Sequence, residues 1–336
     1  LCPALLFVFL LYNLIHSPNI TVVTEFILVS FQLSKTMECF LFWVFLLVFL
    51  LTLTGNLAIV ALVCVDQRLQ TPMYFFLCNL SLLETLFVLT ICPKMLVTLI
   101  SLNKTISFRE CIAQCYFYFS LGTCECILIA VMAFDRYAAI CYPLRYTIIM
   151  NKHFCVFLAL GCWTGGFLLL LVPVPFLLHL SFCGSNLIDH FFCDYAPIIK
   201  LSCSKSVPFL LNFETAVSLA VMLTTLSING VSYVYIISAV LRMHSTKGQK
   251  KTFSTCASHL TVASIFYGSS IFMYSLPTKG RSQGVQKAAA LLTAVITPLL
   301  NPFIYTLRNQ KVKEVLKDCL KTVISTLRRI VPISLL

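Results

Sequence analysis

The chain has 336 residues, 59% of them hydrophobic and 11% charged, with a formal net charge of +12. At a mean hydropathy of +0.94, so few charges cannot coat a soluble domain of this size, which excludes a water-soluble globule and leaves a membrane protein. Six histidines and twelve carboxylates, mostly scattered, leave little material for a catalytic centre, so an enzyme is not expected.

Residues 1–15, LCPALLFVFLLYNLI, are apolar but shorter than the roughly 20 residues that a spanning helix needs. They also lack the basic start of a secretory leader, so they read as an atypical extension of an extracellular segment, 1–38. Seven spans follow. Cys39–Val65 has no charged residue, Met73–Pro93 has only Glu84, and Cys111–Phe134 has only Glu125. Phe154–Leu178 and Thr215–Leu241 are again uncharged, Thr252–Thr278 carries only His259, and Ala288–Leu307 contains no Asp, Glu, Lys or Arg. This predicts an all-α membrane protein, a seven-transmembrane helix bundle over 39–307, with a tail at 308–336. In the tail, Arg308–Leu320 alternates lysines with Val312, Val315, Leu316 and Leu320, the pattern of a short amphipathic helix on the inner leaflet.

Loop charge sets the expected orientation. With the N-terminus outside, the cytoplasmic segments hold 15 of the 24 basic residues against 4 acids, and the outer segments hold 9 against 6. The positive-inside rule favours that arrangement, an extracellular N-terminus and a cytoplasmic C-terminus. The basic excess is therefore a topology feature with lipid as its partner, and nucleic acid is not expected. Two glycosylation sequons, at Asn19 and Asn103, fall on segments assigned to the outside. A transporter would show paired half-repeats and broken helices, and a membrane hydrolase a His-Glu-x-x-His or Gly-x-Ser-x-Gly motif; neither pattern occurs.

Three groups of residues carry chemistry. Asp135, Arg136 and Tyr137 lie at the end of the third span, where a charged pair can close on itself or release its guanidinium to a partner helix. The plainer reading makes Arg136 a snorkelling anchor. Glu84 and Glu125 are intramembrane carboxylates, costly unless paired, protonated or facing water. Near one another they hold either a cation or a proton. Cys183, Cys193 and Cys203 sit at ten-residue intervals in one outer loop, and Cys111 starts the third span on the same side. Four cysteines in an oxidising compartment make two disulfides, with three pairings open. A zinc site with His190 is disfavoured, because the short spacings of such sites are missing. Cys124 and Cys126 read as packing residues. In Asn301-Pro302-x-x-Tyr305, Pro302 frees a carbonyl and loosens the helix, giving a hinge where Asn301 can bond.

The run Met132–Tyr146, MAFDRYAAICYPLRY, resembles the hallmark of olfactory receptors within the rhodopsin-like G-protein-coupled class. Further matches keep the family order: Gly55-Asn56, Thr71-Pro72-Met73-Tyr74-Phe75-Phe76-Leu77, Ser232-Tyr233, Lys251–Leu260 and Pro298–Tyr305. The resemblance covers the chain from about residue 24 to 320.

It implies an odorant receptor in the plasma membrane, signalling through a heterotrimeric G protein of the stimulatory olfactory type and raising cyclic AMP. Asp135, Arg136 and Tyr137 would be the G-protein switch, with Tyr233 and Tyr305 swinging toward Arg136 on activation. Glu84 and Glu125, with Asn56 and Asn301, resemble a sodium site. The implied disulfides are Cys111–Cys193 and Cys183–Cys203. Counting on the family motifs places Tyr118, Phe119, Gly122 and Thr123 of span three in the ligand pocket. Val217, Ser218 and Val221 of span five join them. Span six supplies Tyr267, Ser270 and Tyr274, and span seven Thr293. Tyr118 stands where amine receptors of the wider class carry an Asp, so the set suits a small, volatile, weakly polar molecule. Tyr267 is expected to be the trigger between ligand and span-six movement.

Overall fold

The computed structural model describes residues 23–319 and 321, except 32, 184, 244, 275–282 and 310. Side chains of 246–248, 250, 251, 254, 255, 273, 274, 283 and 305–308 also lie outside the described residues. The apolar run 1–15, the sequon residue Asn19 and Leu320 fall outside them as well.

Seven long helices dominate the described residues. They are α1 (Lys35–Val65), α2 (Pro72–Ile100), α3 (Phe108–Cys141), α4 (Lys152–Leu169), α5 (Val207–Leu241), α6 (Thr246–Tyr274) and α7. α7 runs as Gln283–Leu291, widens through a π-helical turn at Leu292–Ile296, and resumes as Thr297–Arg308. Six of the seven are long and apolar enough to cross a membrane. α6 has the length, 29 residues, but is more polar. Its Ser258, His259, Ser269 and Ser270 are all buried in protein, where polar groups of a spanning helix find partners.

The helices exceed the predicted spans at most ends. α2 passes through Pro93 and continues to Ile100; a proline costs a spanning helix one backbone bond, which packing can offset. α3 continues through the Asp-Arg-Tyr run to Cys141, so that motif is helical. The expected fourth span, Phe154–Leu178, is matched by a segment long and apolar enough to cross, Lys152–Leu178, with a turn inside it. α4 stops at Leu169, and a short helix starts at Val174 after Pro173, with Pro175 tolerated in its first turn. The tail differs from the single helix expected over Arg308–Leu320: Arg308 ends α7, and residues 311–319 form a separate helix.

The described residues form two compact units. The first draws on Leu1–Leu46, Leu89–Cys124 and Trp163–Met222. It contains a three-stranded sheet with β1 (Glu25–Leu28) in the middle, antiparallel to β2 (Thr105–Ser107) and parallel to β3 (Leu187–Ile188). Phe26 sits opposite Ile106 and Leu28 opposite Ile188. The period-two alternation of a strand buries Phe26 and Leu28 while Glu25 faces out. Beneath them lies an apolar core that includes Ile112, Leu177, Ile198 and Leu210. Cys111 is bonded to Cys193 and Cys183 to Cys203. Gln114 supports the first bridge, donating to the Thr90 carbonyl at 2.9 Å and accepting from the Cys193 N–H at 2.9 Å. α3 and α4 touch at Gly166, where a Cβ would strike Cys124 Sγ and lie 2.8 Å from the Ser120 carbonyl oxygen.

The second unit draws on Leu47–Val88, Glu125–Cys162 and Leu223–Leu336. Here α1 meets α7 at Gly55, where a Cβ would lie 3.1 Å from Pro302 Cβ. Pro302 has no N–H, so the carbonyl four residues earlier, on Pro298, loses its helical donor. Asn56 takes that carbonyl, donating from Nδ2 at 3.2 Å. The freed carbonyl is thus bonded by Asn56, while Asn301 bonds Glu84.

Candidate signalling and ligand sites

Asp135 and Arg136 lie near the C-terminal end of α3, a position where adjacent side chains emerge on different sides of the helix. Their pairing therefore needs the long Arg136 side chain to fold back. It does so: Nε donates to Asp135 Oδ2 at 3.0 Å, and Nη2 pairs closely with the same oxygen. The Asp135 side chain is 1% exposed and that of Arg136 13%. A buried pair of this kind holds only while its remaining polar atoms are bonded. Tyr146 satisfies one of them, donating to Asp135 Oδ1 at 2.7 Å. Met73, at the start of α2, satisfies another, its sulfur accepting from Arg136 Nη1 at 2.8 Å. Tyr137 points elsewhere, its hydroxyl 3.3 Å from that of Tyr142 and its ring 5.7 Å from that of Tyr235.

Tyr233 is buried and does not bond Arg136. Its hydroxyl meets His259 Nδ1 at 2.7 Å, while His259 Nε2 meets the Ile129 carbonyl at 3.1 Å. A carbonyl only accepts, so Nε2 carries the proton and Nδ1 accepts from Tyr233. The imidazole thereby joins α3, α5 and α6. The Tyr305 side chain lies outside the described residues.

Asn301 Nδ2 bonds closely to Glu84 Oε1, and the charge of Glu125 bears on Glu84. Four buried oxygens around them have no hydrogen-bond partner: Asn56 Oδ1, Glu84 Oε2, Glu125 Oε1 and Asn301 Oδ1. Among the described residues no three His, Cys, Asp or Glu side chains gather as a metal site. Two carboxylates and two amide oxygens are hard oxygen donors, chemistry that suits a hard cation rather than zinc or copper.

These sites carry the marks of a known family. A family model described as "Olfactory receptor" matches residues 45–323. Human olfactory receptor 6J1 is 49% identical over 296 residues, covering 88% of this chain and 85% of its own. Human olfactory receptor 6C3 is 45% identical, covering 91% and 98%. Rat olfactory receptor 287 is 47% identical, covering 90% and 97%. The chain belongs to the olfactory receptor family. It is accordingly a seven-transmembrane receptor of the G-protein-coupled class, not an enzyme.

In this olfactory receptor the residues counted into the ligand set fall in both units. Tyr118, Phe119, Gly122, Thr123, Val217, Ser218 and Val221 belong to the first. There the Tyr118 ring lies 4.8 Å from Phe192, and Phe119 lies 6.1 Å from Tyr195. Thr123 donates its hydroxyl to the Phe119 carbonyl at 2.9 Å, and Val217, Ser218 and Val221 are half-buried. Tyr267, Ser270 and Thr293 belong to the second unit, as does Tyr274, whose side chain lies outside the described residues. Ser270 is buried, and Thr293 bonds its own helix at Ala289.

Tyr267 is buried, with hydrogen-bond partners on α3 and α5. Asn229 Nδ2 donates to its hydroxyl at 3.1 Å, and that hydroxyl reaches the Cys126 carbonyl at 3.4 Å. Cys126 Sγ and Thr225 Oγ1 lie 3.0 Å apart. Cys126 is buried, as its reading as a packing residue expects, and also joins a polar cluster. Cys124 Sγ also finds a partner, the Trp163 carbonyl, at 3.6 Å. Sequence reasoning missed Asn229 and Thr225 here, and Met73 and Tyr146 at the Asp135–Arg136 pair. The lone amide of the predicted span Thr215–Leu241 was the available sign for Asn229, since such groups in a span are seldom idle.

Asn103 is exposed beside β2, and its neighbour Lys104 forms a close ion pair with Glu38. Asp194 caps the helix Tyr195–Lys200, accepting from the Tyr195 N–H at 2.8 Å. Burial pushes the Asp194 carboxyl up to about 6, against the lowering effects of that N–H and of Lys200.

Proposed function

We propose that the receptor binds small, volatile, weakly polar odorants beside Tyr267 and activates a stimulatory olfactory-type G protein, raising cyclic AMP. The N-terminus faces outward and the Asp135–Arg136–Tyr137 corner faces the cytosol, the orientation that the loop charges favour. The observation that carries this reading is the buried Asp135–Arg136 pair, closed by Tyr146 and Met73. In the resting state the guanidinium is occupied. Odorant at Tyr267 disturbs the Asn229–Tyr267–Cys126 cluster, α6 moves, the Tyr233–His259 bond parts, and Arg136 becomes available to the G protein's helix.

Glu84, Glu125, Asn56 and Asn301 fit a sodium ion, because their four unpartnered oxygens would otherwise stay buried without any donor. A bound cation supplies the positive charge that lets both carboxylates remain ionised. Asn301 keeps Glu84 oriented from its amide side and leaves the other carboxylate oxygen for the ion.

An odorant panel applied to cells carrying the receptor and a cyclic AMP reporter tests this reading, with Arg136→Ala beside the native chain. At equal surface expression, the native receptor responds to at least one volatile and the variant to none. A normal response from the variant removes the switch assignment.

A further inference from the structure

The turn Thr71-Pro72-Met73-Tyr74 opens α2, and its last two side chains hold two different parts of the second unit. Met73 Sδ accepts from Arg136 Nη1 at 2.8 Å. Tyr74, buried at 4% exposure, donates from its hydroxyl to Asn309 Oδ1 at 3.0 Å. The same Asn309 oxygen accepts the backbone N–H groups of Lys311 and Val312 at 3.1 and 3.3 Å, capping the helix 311–319. Pro72 presets the first helical φ, and the Phe75 N–H closes onto the Thr71 carbonyl at 2.9 Å. Both side chains are thus placed by one rigid turn.

The guanidinium has three nitrogens to satisfy in a nearly closed site. Nε and Nη2 go to Asp135 Oδ2, and Nη1 goes to Met73. A thioether is a weak, polarisable, uncharged acceptor. A second carboxylate in its place would double the ionic hold, and an aliphatic side chain would leave a buried N–H of a cation unsatisfied. Sulfur gives an intermediate hold: enough to orient the group, weak enough to release it.

We propose that Met73 is the resting latch of Arg136, a positioning residue that keeps the guanidinium turned onto α2 until activation. The inference rests on the reading of Arg136 as the switch. Met73→Leu removes the acceptor at nearly constant volume. In the cyclic AMP reporter cell, with the full chain and counts normalised to surface receptor, odorant-free signalling rises about two- to fivefold. Met73→Gln restores an oxygen acceptor on an unbranched side chain of similar length, and odorant-free signalling returns to the native level. Met73→Ala is a second way to remove the sulfur and gives the same rise should the leucine variant fail to reach the surface.

A native baseline in the leucine and alanine variants, or a glutamine variant as active as leucine, overturns the latch. Arg136→Ala, alone and combined with Met73→Leu, separates the two readings. If Arg136→Ala silences the odorant response while Met73→Leu leaves the baseline unchanged, the latch fails and the switch stands. If Arg136→Ala responds normally, the switch itself fails.

Discussion

The two oxygens of Asp135 serve different partners: Oδ1 accepts from the Tyr146 hydroxyl at 2.7 Å, and Oδ2 holds Arg136. Tyr146 belongs to a short helix after α3, so the connecting segment, rather than α3 alone, sets the orientation of the carboxylate. In a side chain only 1% exposed, an oxygen stripped of its donor costs about 1–3 kcal/mol.

Tyr146→Phe removes that donor and nothing else. The closed state loses a bond that an open, hydrated corner replaces with water, so odorant-free cyclic AMP rises. A baseline equal to the native receptor at matched surface expression shows that Tyr146 does not hold the closed state.

Tyr267→Phe takes away the acceptor of Asn229 and the donor to the Cys126 carbonyl together. With the trigger cut from its cluster, the half-maximal odorant concentration should rise by about tenfold, the equivalent of one hydrogen bond. Asn229→Leu acts on the same bond from α5 and shifts the response alike. Unchanged dose–response curves in both variants place the trigger elsewhere.

At Gly166 the α3–α4 contact leaves no room for a side chain, with the Ser120 carbonyl oxygen and the Cys124 backbone nitrogen at 2.8 and 2.9 Å from the added carbon. Both are backbone atoms that cannot swing aside. Gly166→Ala should cost about 1–3 kcal/mol by overpacking, read as a lower thermal midpoint of purified receptor. Gly161→Ala, where nothing lies within 4 Å, is the neutral control. Equal midpoints for the two variants contradict the contact.

Asp194 should make stability depend on pH. Its carboxyl titrates near 6 in the folded receptor against an ordinary 3.8, because burial disfavours the charged form. The folded state therefore binds the proton more tightly. The stability it contributes is full below about 3.8 and fades as the pH rises through about 6. Asp194→Asn keeps a capping oxygen without the charge. It should stabilise the receptor by about 3 kcal/mol at neutral pH and by little at pH near 4. A midpoint lowered by the substitution at neutral pH contradicts this account.

The length of the apolar runs and their lack of charge made the helices legible, because a lipid core requires long apolar stretches. α6 was legible for a second reason: its order of motifs from Lys251 to His259 belongs to the family, although its hydroxyls lower its hydropathy. Helix ends were poorly legible. Turns at Lys35 and Thr246 extend the helices beyond the apolar runs without any hydrophobic requirement. The sheet was not legible. β1 pairs with strands about 80 and 160 residues away, and segments of two to four residues have too few positions to show alternation.

At the sites, residues whose type is costly in lipid declared themselves. Glu84, Glu125 and Arg136 were found from their charge alone. Met73 and Tyr146 were not, because a thioether and a phenol suit an apolar setting equally well, and only geometry shows what they bond. The bond of Cys126 was hidden for the same reason: a buried thiol packs as an apolar group, and the hydroxyl of Thr225 beside it shows only in the geometry.

The account depends on an odd number of crossings that leaves Arg136 on the cytosolic side. An epitope on each end of the chain, stained in intact and in permeabilised cells, measures this directly. The N-terminal epitope should stain in intact cells and the C-terminal one only after permeabilisation. Staining of both ends in intact cells, or of neither, would contradict the topology and with it the switch.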